Sequence, residues 1–387
     1  MDLDERLRPQ LYENLEELEN LRSDWETLLA QFPYSTTFST FDWLIPCWRA
    51  FARNDRLQII AFRDRSETLV GLAPLALTTY RSFGSELRLL RLMGDGSHDS
   101  DNLDLPVRPS FESELSRALM RWLEHHGRDW DICRLSTLPA QSPVGNRLLE
   151  DLKGEGWKPF ISTQPSTAVD LPENWDLYLK RLSSKERGKI GLRTRRLEKR
   201  YQLQIRKCSE ESELDRALEA LFELHRKHWQ LHRQPGTLDV PARQQFYQEL
   251  ARRLLREKRL EFWLLELDGK IAATQFALRH GNVVFSLQEG FDPAYSADSV
   301  GYVLRGNVLK SLIADGVRRY DFLGGTEESK IRWGAEVKNY LNIEFAQPFS
   351  RGSLHLRMKY KGAEAKGWLR EHLPSRVWRG LKTAAWR

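Results

Sequence analysis

One order of segments occurs twice in this chain, and it limits the fold more than any other feature. LQIIAFRD, a turn over Arg65–Thr68, and LVGLAPLALTTY read as a strand hairpin. Next come LRLLRLMG, the polar loop GDGSHDSDNLDLP, a helix over Phe111–His126 and the strand WDICRLSTL. In the second half LEFWLLEL, the turn Asp268–Gly269–Lys270 and IAATQFALRH repeat the hairpin. NVVFSLQEG, the loop DPAYSADS, the helix VGYVLRGNVLKSLIAD and the strand VRRYDFLGG complete the copy. The copies agree in order and polarity rather than in residue identity, which points to a duplicated supersecondary unit.

Helices precede each copy. Leu15, Leu18, Leu21, Trp25 and Leu28 line one face of a helix within Leu11–Phe32. Between the copies, Glu173–Tyr178, SKERGKIGLRTRRLEKRY, LDRALEALFELHRKHWQLH and ARQQFYQELARRLLREK read as helices. At 387 residues, two domains are expected. Pro165 and Pro172 break regular structure between them, which predicts domains over 1–165 and 166–350, tightly packed, and a basic, Trp-rich tail over 351–387.

Several classes are disfavoured. The longest apolar stretch, Leu69–Tyr80, is too short to span a bilayer and contains Pro74. MDLDERLRPQ is not a secretory signal, and Cys47, Cys133 and Cys208 form neither a disulfide framework nor a zinc knuckle, so a reducing cytoplasm is predicted. Two segments, Lys180–Arg200 and Arg351–Arg387, each hold ten cations against two carboxylates, +8 apiece, so the rest of this +6 chain sums to −10. A DNA-coating role, which wants a broad positive face, is disfavoured. Basic charge with Trp368, Trp378 and Trp386 in the tail suits contact with a membrane surface.

LYLKRLSSKERGKIGLRTRRLEK, LHRKHW, LDGKIAATQFAL, GFDPAYSADSVGYVL and RRYDFLGGTEESKIRWG, in that order, resemble the tandem GNAT acyltransferases. The likeness extends over residues 20–350. It is to FemAB aminoacyltransferases and, above all, to the CelD/BcsL acetyltransferases of cellulose and exopolysaccharide synthesis. The resemblance implies an α/β fold of two GNAT-like domains with mixed sheets, acetyl-CoA or another acyl-CoA as co-substrate, and a sugar or nucleotide-sugar acceptor. Its FemAB side implies an alternative, aminoacyl transfer from tRNA to a peptidoglycan precursor. A third possibility is a non-catalytic subunit of a polysaccharide synthase.

A helix opening after a strand presents free N–H groups to a diphosphate, here at Ser299, Val300, Gly301 and Tyr302. Of the family's small loop positions, matched by Ser296, Ser299 and Gly301, only the last is glycine. The resemblance also runs the pantetheine beside the strand carrying Gln288 and Glu289. Glu289 is the expected general base, and Lys330 matches by motif a FemAB lysine that steadies the oxyanion. His225, His228 and His232 share a helical face, but no carboxylate accompanies them and no metal is expected. His228 is instead expected to face substrate, with Trp229. His98, Asp99, Asp101 and Asp104 are candidates for sugar hydroxyls or for capping, with capping expected of Asp104. Trp43, Trp48 and Trp333 are further aromatic candidates.

Overall fold

In a computed structural model that describes residues 7–97, 99–231 and 236–372, the repeated pattern becomes two halves of one sheet. The first half supplies β1 (Arg8–Tyr12), β2 (Arg56–Arg63), β3 (Leu69–Ser82), β4 (Ser85–Leu92), β5 (Ile132–Pro139) and β6 (Phe160–Asp170). The second supplies β7 (Leu203–Lys207), β8 (Leu260–Leu267), β9 (Lys270–His280), β10 (Val283–Phe291), β11 (Arg319–Gly324) and β12 (Glu336–Phe345). The predicted hairpin of β8 and β9 turns at Asp268 and Gly269, both at positive φ, as a two-residue hairpin demands.

The order across the sheet is β1-β2-β3-β4-β5-β12-β6-β11-β10-β9-β8-β7. Two separate sheets were expected; the halves instead form one continuous mixed sheet. The last strands are exchanged: β6 pairs with β11, β12 pairs with β5, and β6 and β12 pair with each other along Phe160–Ala168. No sheet edge is left at the junction. The predicted break at 165/166 falls inside β6, where Pro165 sits opposite Asn339 and its carbonyl accepts the Gly325 N–H at 2.9 Å.

Within each half every pairing is antiparallel except β4 with β5 and β10 with β11. Each parallel pair holds register for three residues, Leu89–Arg91 against Ile132–Arg134 and Val283–Phe285 against Arg319–Asp321, and then opens. In the second half the opening begins at a bulge between Ser286 and Gln288.

The helices are α1 (Leu15–Gln31), α2 (Phe41–Phe51), α3 (Glu112–His125), α4 (Pro143–Gly154), α5 (Trp175–Arg181), α6 (Ser184–Arg200), α7 (Glu211–Leu231), α8 (Pro241–Arg256), α9 (Val300–Ala314), the short α10 (Glu328–Ile331) and α11 (Arg351–His372). Caps fix several starts: Asn14, Asn174 and Ser183 accept the N–H groups of Glu17, Leu177 and Glu186. One large apolar core runs across both halves. Trp43 of α2 meets Phe246 of α8 edge-on at 5.3 Å, and Phe38 meets Phe285 at 5.3 Å. A second core lies under α5, α6 and α9. There a Cβ on Gly306 would stand 3.0 Å from Ile190, so glycine permits α6 and α9 to cross closely.

No helix among the described residues is long and apolar enough to cross a membrane. The tail is only partly free. Arg351 grips Asp131 through two bonds of 2.6 and 2.7 Å, and Leu356 is buried. Tyr360 stacks on Phe160 at 4.2 Å, and Lys359 and Tyr360 both bond Glu344. Residues 373–387, with Trp378 and Trp386, lie outside the described residues.

Candidate active site

The two openings in the sheet face each other across β12 and β6, and between them lies a cleft of about 610 Å³. Its walls are polar. The first half contributes Asp95, Asp101 and Arg134; the second contributes Gln288, Gly324 and Lys330; Gln164 and Asn342 come from the exchanged strands. The last two escaped sequence reasoning because neither β6 nor β12 carries a turn signal or a clear alternation.

Asp101 is the outstanding group in this cleft. It accepts the Gly324 N–H at 2.9 Å, and burial, reinforced by Asp321, pushes its carboxyl up to about 6. Lys330 reaches the same residue through the next peptide, donating to the Gly324 carbonyl, and pairs with Glu327 at 3.0 Å. The backbone here is contorted: Leu323 and Gly325 both have positive φ, and the Asp321 side chain accepts the Leu323 N–H at 2.8 Å. A leucine held in the left-handed region is strained, and such strain concentrates at functional sites.

Asp99 lines the same cleft but is tied to the second half. It takes bonds from Arg243 at 2.5 Å, Gln288 at 3.1 Å and Tyr247 at 3.2 Å, all from the second half. Asp104 accepts from its neighbour Leu105 N–H and from Ser142, whose hydroxyl caps α4, so it steadies another residue's cap.

On the other side of β10 lies a groove of about 260 Å³ bounded by Glu289, Phe291, Gly301, Tyr302, Arg305, Arg332 and Trp333. Adjacent residues thus serve different hollows: Gln288 lines the cleft and Glu289 the groove. Arg305 is buried and donates to Glu289, so the expected base is the counter-ion of a buried guanidinium. Arg305, an arginine on the buried face of α9, was the overlooked signal.

The α9 ladder begins with Val303 N–H to Ser299 O at 3.1 Å, which leaves the N–H groups of Val300, Gly301 and Tyr302 outside it. Ser299 differs from expectation, because its N–H is already given to Ser296 O at 3.2 Å. A Cβ on Gly301 would meet nothing closer than Phe291 at 3.8 Å. Packing therefore does not require this glycine.

Other candidates are not brought to the cleft. Trp333 is 2 % exposed and its carbonyl accepts the Tyr178 hydroxyl at 2.8 Å; its ring packs against that of Tyr302 at 4.6 Å, tilted by 30°, and presents no open face to a sugar. Trp43 is fully buried. His228 packs against Phe291 at 5.2 Å and Trp229, while Trp229 donates to His225 at 2.8 Å; this cluster lines neither the cleft nor the groove. Burial brings His225 down to about 4. His98 and His232 lie outside the described residues. The thiols are poor acyl carriers: burial pushes Cys47 up to about 12 and Cys208 to about 11, and raises Cys133 as well.

Residues 184–331, from α6 to α10, match the acetyltransferase (GNAT) domain model. No curated protein matches the sequence. Among solved structures, FemX is similar at TM-score 0.62 and 11 % identity, covering 84 % of this chain and 96 % of its own. A conserved protein of unknown function from Bacteroides thetaiotaomicron is similar at 0.52 and 12 %, covering 84 % and 97 %. The C-terminal domain of a putative lysylphosphatidylglycerol synthetase from Agrobacterium fabrum reaches 0.50 at 11 %, covering 88 % and 95 %. These likenesses establish the fold. Acyl-CoA, the co-substrate of the GNAT domain family, fits the second half: free N–H groups and an unfilled glycine open α9, and the adjoining groove leads to the open strands.

Proposed function

We propose that this chain, an acyltransferase of the GNAT type whose donor is an acyl-CoA, passes the acyl group to an amine or hydroxyl of a sugar or amino-sugar held in the cleft between its halves. One observation carries the reading. The cleft joins a carboxyl raised to about 6, Asp101, to an ammonium, Lys330, across a single residue, Gly324, beside the strands that border the donor groove.

Each residue then has a task. Ionised Asp101 accepts the proton that an attacking amine or alcohol must lose, and its position near 6 suits that exchange. Lys330 supplies positive charge for the acyl oxygen as it becomes negative. Val300, Gly301 and Tyr302 hold the diphosphate, and Glu289 keeps Arg305 neutralised rather than acting as the base. Acyl-CoA brings the activated thioester carbonyl. Gln164, Asn342 and Gln288 offer amide groups suited to sugar hydroxyls. By its resemblance to the CelD/BcsL proteins, the chain would act in exopolysaccharide or cellulose assembly.

The likeness to FemX supports a second reading, aminoacyl transfer from tRNA to a peptidoglycan precursor. A screen for thiol release from acetyl-CoA over amino-sugars and nucleotide-sugars decides between them. The first reading expects release that depends on such an acceptor and is abolished in Gly301→Glu, which puts bulk and negative charge on the phosphate path. No thiol release with any sugar, alongside transfer from aminoacyl-tRNA, would establish the second.

A further inference from the structure

Each exchanged strand meets a bulge where the sheet opens on the cleft, and the bulge in the first half has no task in the chemistry above. In the second half Phe322 and Leu323 stand opposite the single residue Thr167, and Gly324, which follows, meets Asp101 and Lys330. In the first half Ser136 and Thr137 stand opposite the single residue Asn342, and all three line the cleft. Both bulges hold a residue in the left-handed region, Leu323 at φ 63° and Thr137 at φ 54°. A β-branched residue there is a genuine outlier, and the Thr137 hydroxyl is also buried without a hydrogen-bond partner. The fold sustains a strained bulge at this end of the cleft as it does at the other.

Hydrogen bonds fix what this end presents. The Thr137 N–H donates to Asn342 Oδ1 at 2.8 Å; only the oxygen of an amide can accept it, so the Asn342 NH2 is the end left for the cleft. Gln288, from the second half, is set the other way. Its Nε2 donates to Asp99 at 3.1 Å, which leaves its carbonyl oxygen for the cleft. Arg134 adds charge to the first-half end. Its Nε bonds Glu344, a carboxylate that Lys359 and Tyr360 also hold, and its two terminal nitrogens make no bond to any described residue. Asp95 lines this end too, but it accepts the Ser136 hydroxyl at 3.3 Å and makes no ion pair with Arg134.

We infer that the first-half end of the cleft is a subsite for an anionic group of the acceptor sugar, a phosphate or a carboxylate, held by the Arg134 guanidinium and the pinned Asn342 NH2. The subsite rests on the reading of the cleft as the acceptor site and adds what the sugar carries. A planar guanidinium with both terminal nitrogens available matches the oxygens of either anion. A neutral sugar leaves that charge without a counterpart. At the other end the Gln288 carbonyl and Asp101 suit a group that donates, as the reacting amine or hydroxyl does. The acceptor is therefore oriented by opposite chemistry at its two ends, with the nucleophile directed to Asp101 and the anion away from it.

Thiol release from acetyl-CoA by the full chain, compared over glucosamine, its 1-phosphate, its 6-phosphate and 2-amino-2-deoxyglucuronate, tests the subsite. At least one anionic acceptor should show a KM about 10-fold or more below that of glucosamine, because charge-assisted bonds are the strong ones. The order within the set tells phosphate from carboxylate. Arg134→Met should bring that KM up to the glucosamine value, with Glu344 still held by Lys359 and Tyr360. Asn342→Asp keeps an oxygen for the Thr137 N–H and replaces the NH2 by a second oxygen. It should turn the preference toward glucosamine, and it decides the matter if Arg134→Met fails to fold. Release as efficient with glucosamine as with every anionic acceptor, or a preference that survives in the folded variants, would overturn the subsite and leave acyl transfer to sugars intact. No release with any of the four acceptors would overturn both.

Discussion

Single residues decide the chemistry, and Asp101 carries the sharpest expectation. Its carboxyl ionises at an ordinary 3.8 when unfolded and at about 6 when folded, mainly because burial disfavours the charge. Below 3.8 it is protonated in both states and has no effect. Above about 6 the folded protein bears a desolvated carboxylate and is destabilised by it. Asp101→Asn should therefore raise stability at neutral pH by on the order of 1–3 kcal/mol, while cutting turnover about 100-fold or more. Wild-type turnover should rise with pH through about 6. Thermal melts and pH–rate profiles check both; a variant that loses stability with activity would make Asp101 structural. Glu289 behaves oppositely. Glu289→Gln strips the buried Arg305 of its carboxylate, so the melting temperature should fall together with turnover. Unchanged stability with lost turnover would restore Glu289 as the base.

At the scale of elements, α11 divides into a packed and an exposed portion. Its first turns hold Asp131 near 2, where bonds from Arg351 and Arg88 outweigh burial, and its Lys359 satisfies Glu344. A cut after Ser350 leaves both buried carboxylates short of partners and should destabilise the fold. For Asp131 the lost stabilisation belongs above its ordinary 3.8 and disappears as pH falls through about 2, so this part of the deficit should vanish in acid. Leu354, Met358 and Trp368 are exposed on the opposite face of the helix. We propose that this stripe and the basic residues around it meet an anionic membrane. A cut after Lys361 should spare stability and turnover yet weaken sedimentation with phosphatidylglycerol vesicles; undiminished vesicle binding would end the proposal.

On the scale of the molecule, the halves act as one body because the site needs both. Asp99 of the first half accepts from Arg243, Tyr247 and Gln288 of the second, at the rim of the cleft. Asp99→Ala leaves the 8 %-exposed Arg243 without its carboxylate, which should cost about 3–5 kcal/mol. Unfolding should remain a single transition, since the exchanged strands and the shared core join the halves. Two resolved transitions in calorimetry would show that they fold independently.

The sequence alone determined the repeat, the hairpins, the amphipathic helices and the opening of α9 at Gly301, because each is a short-range pattern of polarity, turn residues or caps. It also singled out Gln288, Lys330 and Asp101 from local motif and composition. Only the tertiary structure decided what these residues became. Exchange of β6 and β12 depends on pairings between distant segments, which no local period records, and it turned a pair of sheets into one. That exchange carried Gln164 and Asn342 into the cleft and brought Asp101 to the Gly324 peptide. Burial then separated two similar carboxylates by environment: Glu289 was drawn to a buried guanidinium, while Asp101 was left desolvated beside a strained turn. Side-chain type is local, but ionisation depends on the dielectric and the charges nearby, and these are set only when distant segments meet.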